Sequence, residues 1–368
     1  MPSKNEFTLF SERVHILPRL RQRFNITRTL QIILKHERVW NYKTCRQLYD
    51  FSAPNEQPTR LCFRPKGFQN NVNSINESPQ AVFACGFSSG KVRVLNVTEA
   101  KLVAEVPSPH THQNSGALRE ITDLAFANDG RRLLTGDALK CLCLYDADAN
   151  FSLLRILPNT LASHGSLTVS PDAKSVSVIG PTDFLITVFE TLTLNETLRI
   201  DARSQPPAES NAVAVRLIYS SSCLNQLLCV TSSNKLLKFD CRSGRLLSCV
   251  AAGGLHRSLT DCLTVSEDGR FLVTSGDNCV KVWDYEMRLE RSSQTFVGHS
   301  APVSRVVFTP DQSTLVSVGD SIVFWSFHAL CGQQVDEAKD MPQGRLLEET
   351  GMHKLILSHL VNFYKCVL

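Results

Sequence analysis

The chain has 368 residues, 43% hydrophobic and 20% charged, with 39 Lys and Arg against 35 Asp and Glu for a formal net charge of +4. No apolar run approaches the ~18 residues that span a bilayer, and residues 1–20 lack the uninterrupted apolar core of a secretory signal. A membrane span and a secreted, disulfide-stapled framework are therefore not expected, and the 13 cysteines read as reduced, buried small hydrophobes of a cytosolic protein.

The N-terminal end is basic. Residues 1–46 hold ten Lys or Arg against three acids, with Arg19, Arg21, Arg23 and Arg28 at the centre. Such a patch can meet nucleic acid or an acidic surface; the ordinary reading, adopted for residues 1–30, is a solvated arm with neither nucleic-acid nor membrane partner. Trp40-Asn41 then looks like the end of a strand, with residues 47–51 as the next one, but no convincing strands precede it. Pairs of the same kind follow at Leu95-Asn96, Tyr145-Asp146, Phe189-Glu190, Phe239-Asp240, Trp283-Asp284 and Trp325-Ser326, separated by 55, 50, 44, 50, 44 and 42 residues. A period of about 40–45 residues ending in Trp-Asp marks a four-stranded propeller blade. The expectation is an all-β propeller over residues 31–328. It has six complete blades near 59–98, 120–148, 164–192, 211–243, 258–288 and 301–328. An incomplete blade at 31–52 would fill a seven-bladed plan.

Residues 66–79 form an Asn/Ser-rich insertion that lengthens the first interval and reads as a surface loop. Next to it, Gly86-Phe87-Ser88-Ser89-Gly90 matches a hydrolase nucleophile elbow. That motif needs a strand before it and a helix after it, whereas residues 91–95 lead out as a strand, so the segment is a blade turn. Cys141 and Cys143 share a strand face and His110 and His112 lie in a loop, without zinc-ligand spacing. No phosphate loop, dinucleotide fingerprint or His-Glu-x-x-His is present. Catalytic, metal and cofactor sites are accordingly read as none.

The clearest repeat unit lies between residues 260 and 284. Asp261-Cys262-Leu263-Thr264-Val265 alternates as a half-buried strand. Ser266-Glu267-Asp268-Gly269-Arg270 carries turn chemistry, and residues 271–275 and 280–283 complete a meander across the turn Gly276-Asp277-Asn278. Residues 303–325 repeat the plan. His256 precedes Trp283 by 27 residues and His299 precedes Trp325 by 26. His299, Ser317, Asp320 and Trp325, and in the preceding unit His256, Thr274 or Ser275, Asp277 and Trp283, are read as buried hydrogen-bonded sets: a buried indole N–H needs an acceptor. His, Ser and Asp also make catalytic triads, but a nucleophile must be reachable by substrate. Residues 329–368 are read as a polar linker and a C-terminal amphipathic helix, with Ile356, Leu360, Phe363 and Val367 at helical spacing.

These blade endings, with Ser266-Glu267-Asp268-Gly269-Arg270-Phe271-Leu272, Lys281-Val282-Trp283-Asp284-Tyr285 and Val297-Gly298-His299-Ser300-Ala301-Pro302-Val303, resemble a WD-repeat propeller. In detail they resemble a propeller segment of the WD repeat-containing protein 90 family. The resemblance implies a non-enzymatic scaffold of the centriole or ciliary basal body, in cytoplasm and cytoskeleton. Its partners would be centriolar or ciliary scaffold components, and its roles microtubule-wall organisation and ciliogenesis. In that family direct microtubule binding is associated with a separate N-terminal domain that has no counterpart here, so any microtubule association is expected to be indirect. The alternative is a substrate receptor of a cullin-type ubiquitin ligase, for which Phe239-Asp240-Cys241-Arg242 is a loose match to a Trp-Asp-x-Arg blade end. Partners of propellers usually dock on inter-blade loops and on turns between second and third strands. Here that face holds Arg257, Ser258, Asp277, Asn278, Ser300, Ala301 and Asp320, turn residues that vary without disturbing packed strands.

Overall fold

The computed structural model describes residues 56–326 except 66–80, 108, 110–118, 163–164, 205–211, 222, 251–254, 287–292, 310–311 and 313, together with the backbone of 8–10, 36–41 and 46–52. Repetition of one local pattern builds the fold. In four blades the polar residue closing the third strand accepts backbone N–H groups from the turn that follows: Asn96 from Thr98 and Glu99, Asp146 from Asp148 and Ala149, Asp240 from Arg242 and Ser243, and Asp284 from Glu286. The residue before it is anchored in the core; Leu95, Tyr145, Phe189, Phe239, Trp283 and Trp325 are all buried. The recurring sequence pair is thus a core anchor followed by an Asx-type turn.

Turns between first and second strands repeat as well. Gly130, Ala173, Gly269 and Gln312 each take a positive φ and donate an N–H to the residue three positions earlier, Ala127, Ser170, Ser266 and Thr309. At Ser266 the hydroxyl also accepts the Phe271 amide at 2.9 Å, which pins the hairpin's register.

Six consecutive antiparallel sheets result. They comprise β4–β7 (Pro58–Phe63, Val82–Phe87, Val92–Asn96, Lys101–Val106), β8–β11 (Ile121–Phe126, Arg132–Asp137, Leu142–Asp146, Ser152–Leu157) and β12–β15 (Leu167–Val169, Ser175–Ile179, Ile186–Glu190, Glu196–Ile200). They continue with β16–β19 (Ala214–Tyr219, Gln226–Thr231, Leu236–Asp240, Leu246–Val250), β20–β23 (Cys262–Val265, Phe271–Gly276, Cys279–Asp284, Ser293–Val297) and the three-stranded β24–β26 (Arg305–Phe308, Thr314–Val318, Ile322–Ser326). First strands of successive blades touch in chain order from β4 to β24. The chain is a six-bladed β-propeller, and the described residues contain no α-helix; a 3-10 turn lies at Ala202–Ser204.

The core lies between neighbouring sheets. Val94 and Ala84 of the first blade pack with Phe126, Leu133 and Tyr145 of the second; Ile179 and Ile186 with Leu217, Leu227 and Phe239; and Val273, Val280 and Phe296 with Val306, Leu315 and Trp325. Burying each Val, Leu, Ile or Phe side chain of this set stabilises the fold by roughly 1.5–3 kcal/mol.

Two features differ from the sequence expectation. The first five blades extend beyond the expected ends by a whole strand, because each outer strand buries at most one side chain and so carries little hydrophobic pattern; five of the six residues of β11 are exposed. Within the segment read as a basic arm, the backbone of Thr8–Phe10 (β1) pairs with His36–Asn41 (β2), which pairs with Arg46–Ser52 (β3). Three residues are too few to show a strand's period. The remainder of the arm, the insertion at 66–79, and the linker and helix at 329–368 lie outside the described residues.

Candidate interaction face and the buried polar chains beneath it

In the last blade four side chains form a continuous chain. The Trp325 indole Nε1–H donates to Ser317 Oγ at 2.7 Å, Ser317 Oγ lies 2.7 Å from His299 Nε2, and His299 Nδ1 lies 2.9 Å from Asp320 Oδ1. One proton arrangement satisfies every atom: His299 carries hydrogen on Nδ1, donated to the carboxylate, and accepts the serine hydroxyl at Nε2. Asp320 also accepts the Ser300 amide at 3.2 Å and the Ser300 hydroxyl. Burial acts to raise the Asp320 pKa, but the bonds from Ser300 and His299 outweigh it and hold the carboxyl below its usual value.

The preceding blade is built alike around a threonine. Thr274 Oγ1 accepts Trp283 Nε1–H at 2.9 Å and lies 2.8 Å from His256 Nε2. Thr274 is the hydroxyl in this set; Ser275 Oγ instead donates to the Val303 carbonyl of the next blade at 2.8 Å. His256 Nδ1 stands 3.8 Å from Asp277, too far for a hydrogen bond. Asp277 is spent on the loop, accepting the Arg257 and Ser258 amides at 2.7 Å each. Burial, and then Lys281, push the His256 pKa from 6.5 down to about 4. A glycine makes room for that ring: a Cβ on Gly276 would lie 2.7 Å from His256 Cγ.

Ser317 and Thr274 have no solvent exposure and each already accepts an indole N–H. The His-Ser-Asp set therefore offers substrate no route to its hydroxyl, whatever its resemblance to a triad. The second blade keeps a fully buried hydroxyl, Thr135, at the same register, beside the Tyr145 hydroxyl, whereas the first, third and fourth blades put apolar groups or thiols there. Cys85, Val178 and Cys229 are fully buried, and burial pushes the Cys229 thiol up to about 12. The elbow-like Gly86–Gly90 segment is a turn between strands β5 and β6, closed by Gly90 N to Phe87 O at 3.1 Å.

Above these chains the seven loop positions form one edge. Arg257, Ser258, Asp277, Ser300 and Asp320 are exposed, Asn278 and Ala301 half-buried. Asn278 Nδ2 donates to the Ser300 carbonyl at 3.2 Å, joining the two blades' loops. Two neighbours escaped the sequence reading. Asn234, at positive φ, accepts the Thr260 amide at 3.0 Å and donates to the His256 carbonyl at 3.1 Å and to that of Ser258, fixing the loop from the blade before. Leu259 is 54% exposed amid the polar loop. Asn234 sits in a Ser-Ser-Asn-Lys turn, and its left-handed φ was the available signal.

The family description "WDR90/POC16, second beta-propeller" matches residues 35–326. This chain belongs to the WDR90/POC16 family. It is 34% identical over 300 residues to WD repeat-containing protein 90 of Xenopus tropicalis, covering 79% of the chain and 15% of that protein. To the Homo sapiens protein of the same name it is 32% identical over 295 residues, 78% of the chain and 16% of the relative. It is also 25% identical over 269 residues to Centriole proteome protein 16 of Chlamydomonas reinhardtii, 67% of the chain and 12% of that protein. The chain thus spans about 15% of the length of these curated relatives. Among solved structures, a chain of a mitotic checkpoint complex crystal structure superposes with TM-score 0.59 at 12% identity, covering 83% of this chain and 84% of that one, a likeness of fold alone. WD propellers are in general non-enzymatic protein-interaction domains, and nothing among the described residues indicates catalysis.

Proposed function

We propose that this propeller is a protein-interaction scaffold of the centriole and cilium, contributing to microtubule-wall organisation and ciliogenesis, located in cytoplasm and cytoskeleton at centrioles or basal bodies. The observation that carries this reading is the family match across residues 35–326, shared with proteins one of which is named for the centriole proteome. The buried sets His256–Thr274–Trp283 and His299–Ser317–Trp325 serve structure, holding two loops rigid, and Asp277 and Asp320 tie those loops down. Arg257, Ser258, Asn278, Ser300 and Ala301, with Leu259, are the face that meets a partner, an exposed apolar residue ringed by polar ones. The β1–β3 sheet is the incomplete seventh blade, between the last and first full blades, where closure removes sheet edges. Microtubule association is indirect, through protein partners.

The test is affinity capture of the tagged full chain from ciliated cells with mass spectrometry of the captured proteins. Centriolar scaffold components support the proposal. A cullin-ligase adaptor instead would replace it with the substrate-receptor reading; in the structure Arg242, which suggested that reading, is tied to Asn225 Oδ1 at 3.1 Å.

A further inference from the structure

The first strands of the six blades surround a channel of about 680 Å³, within the ~300–1,000 Å³ typical of small-molecule sites. One register position recurs around it. Opposite Gly86, Gly136, Ile179, Val230, Ser275 and Val318 stand, blade by blade, Arg60, Asp123, Ser166, Arg216, Cys262 and Arg305. Half of these positions are arginine, and all three arginines line the channel, half-buried. The other charged lining residues are Asp123 and Asp261. Three guanidinium groups therefore face two carboxylates, with Glu120 acting on Arg60 from the rim.

These cations share one electrostatic neighbourhood. Burial acts most strongly on Arg60 and Arg216: after it Arg60 feels the attraction of Asp123, then the repulsion of Arg305 and, more weakly, of Arg216, while Arg216 feels Cys262 and Asp261 and then the repulsion of Arg305. Crowding like charges in a partly desolvated channel opposes folding. Stitching the blades together does not require it. Elsewhere around the ring neutral groups do that work: Thr59 Oγ1 donates to Ile121 O at 2.7 Å, Thr168 Oγ1 accepts Tyr219 N at 3.3 Å, and Ser275 Oγ donates to Val303 O. Two of the arginines are also held in place. Arg60 Nε donates to Thr122 O and Nη1 to Thr59 O, while Arg216 Nε donates to Asp261 O and Nη1 to Val215 O. Gly165 leaves space for the Arg216 stem; a Cβ there would approach its Cδ to 3.2 Å. Fixed, clustered guanidinium forks match the spread oxygens of phosphate groups better than a single point charge.

We propose that the channel is a binding site for a compact phosphate-bearing small molecule, its anionic oxygens shared among Arg60, Arg216 and Arg305. Asp123 and Asp261 oppose the anion at the second and fifth blades, so its position is set by the three arginines. The enclosing strands favour a small polyanion over a folded acidic surface.

The experiment is isothermal titration of the full chain with inorganic tripolyphosphate at low ionic strength, with each variant's melting temperature recorded without ligand. Saturable one-to-one binding is expected, weakened at least roughly tenfold by Arg60→Gln with Arg305→Gln. Arg305→Gln alone gives a smaller loss in the same direction should the double variant not fold. Arg19→Gln, Arg21→Gln and Arg23→Gln together probe the other dense basic patch and should leave the affinity unchanged. The proposal is overturned by absence of saturable binding to folded wild type, by loss of binding in the arm variant, or by undiminished binding in a folded channel variant.

Discussion

Replacing Thr274 with valine keeps the side chain's shape and removes one hydroxyl, leaving two buried nitrogens without their partner. Trp283 Nε1–H loses its acceptor at 2.9 Å, and His256 Nε2 loses its contact at 2.8 Å. Thr274 is fully buried, with His256 4% and Trp283 7% exposed, so water cannot stand in without repacking. Stranding a buried polar group costs about 1–3 kcal/mol. With two affected, and no cavity created, the loss should be roughly 2–6 kcal/mol. At this domain size that is roughly 2 °C of melting temperature per kcal/mol, hence a fall of roughly 4–12 °C. Thermal unfolding followed by circular dichroism reads it directly. Thr274→Ser, which keeps the oxygen, should lose far less, while Ser317→Ala in the next blade should match the valine variant because Ser317 holds the same two kinds of partner. A Thr274→Val protein melting within about 1 °C of wild type, or no more affected than Thr274→Ser, would refute the view that these sets hold the blades.

Two further outcomes follow from buried titratable groups. His256 is held neutral in the fold, its pKa lowered from 6.5 to about 4, so the unfolded chain binds the extra proton between those values; stability is whole above that window and is lost as pH falls through it. At about 1.4 kcal/mol per pH unit the loss between pH 7 and pH 5 is about 2 kcal/mol. Denaturant titrations at the two pH values should show it, and His256→Gln should flatten it, since Asp277 and Asp320, with lowered pKa values, act only below that range. Lys238 is 5% exposed, donates to the Tyr285 carbonyl and lies 4.2 Å from the Tyr285 ring centre, joining the fourth and fifth blades. Lys238→Met, which keeps the stem, should cost less than about 1.5 kcal/mol, whereas Lys238→Ala should cost about 2–3 kcal/mol through lost packing; equal losses on denaturant titration would contradict this.

How far the sequence discloses the molecule depends on what each segment buries. The aromatic-plus-acid endings are legible because two demands meet there, a core anchor and an Asx turn, and both select residue types strongly. The His256 and His299 sets are legible for the same reason: a buried indole and imidazole need matched partners at fixed register. Outer strands such as β11 are not, because five of its six side chains face solvent and no alternation is imposed. Nor are the channel arginines. Arg60, Arg216 and Arg305 are separated by 156 and 89 positions in sequence, and only the equivalent strand register brings them onto one ring. Asn234 fell between these cases, its turn visible and its reach into the next blade's loop not.

The proposed function is that of a centriolar interaction module working through its loop face. The most direct test is to image the tagged full chain in ciliated cells beside a variant carrying Arg257→Glu and Ala301→Glu, both checked for native melting temperature. The wild-type chain should concentrate at centrioles or basal bodies, and the variant should lose most of that enrichment. A diffuse wild-type signal, or a variant that localises as well as wild type, would contradict the account.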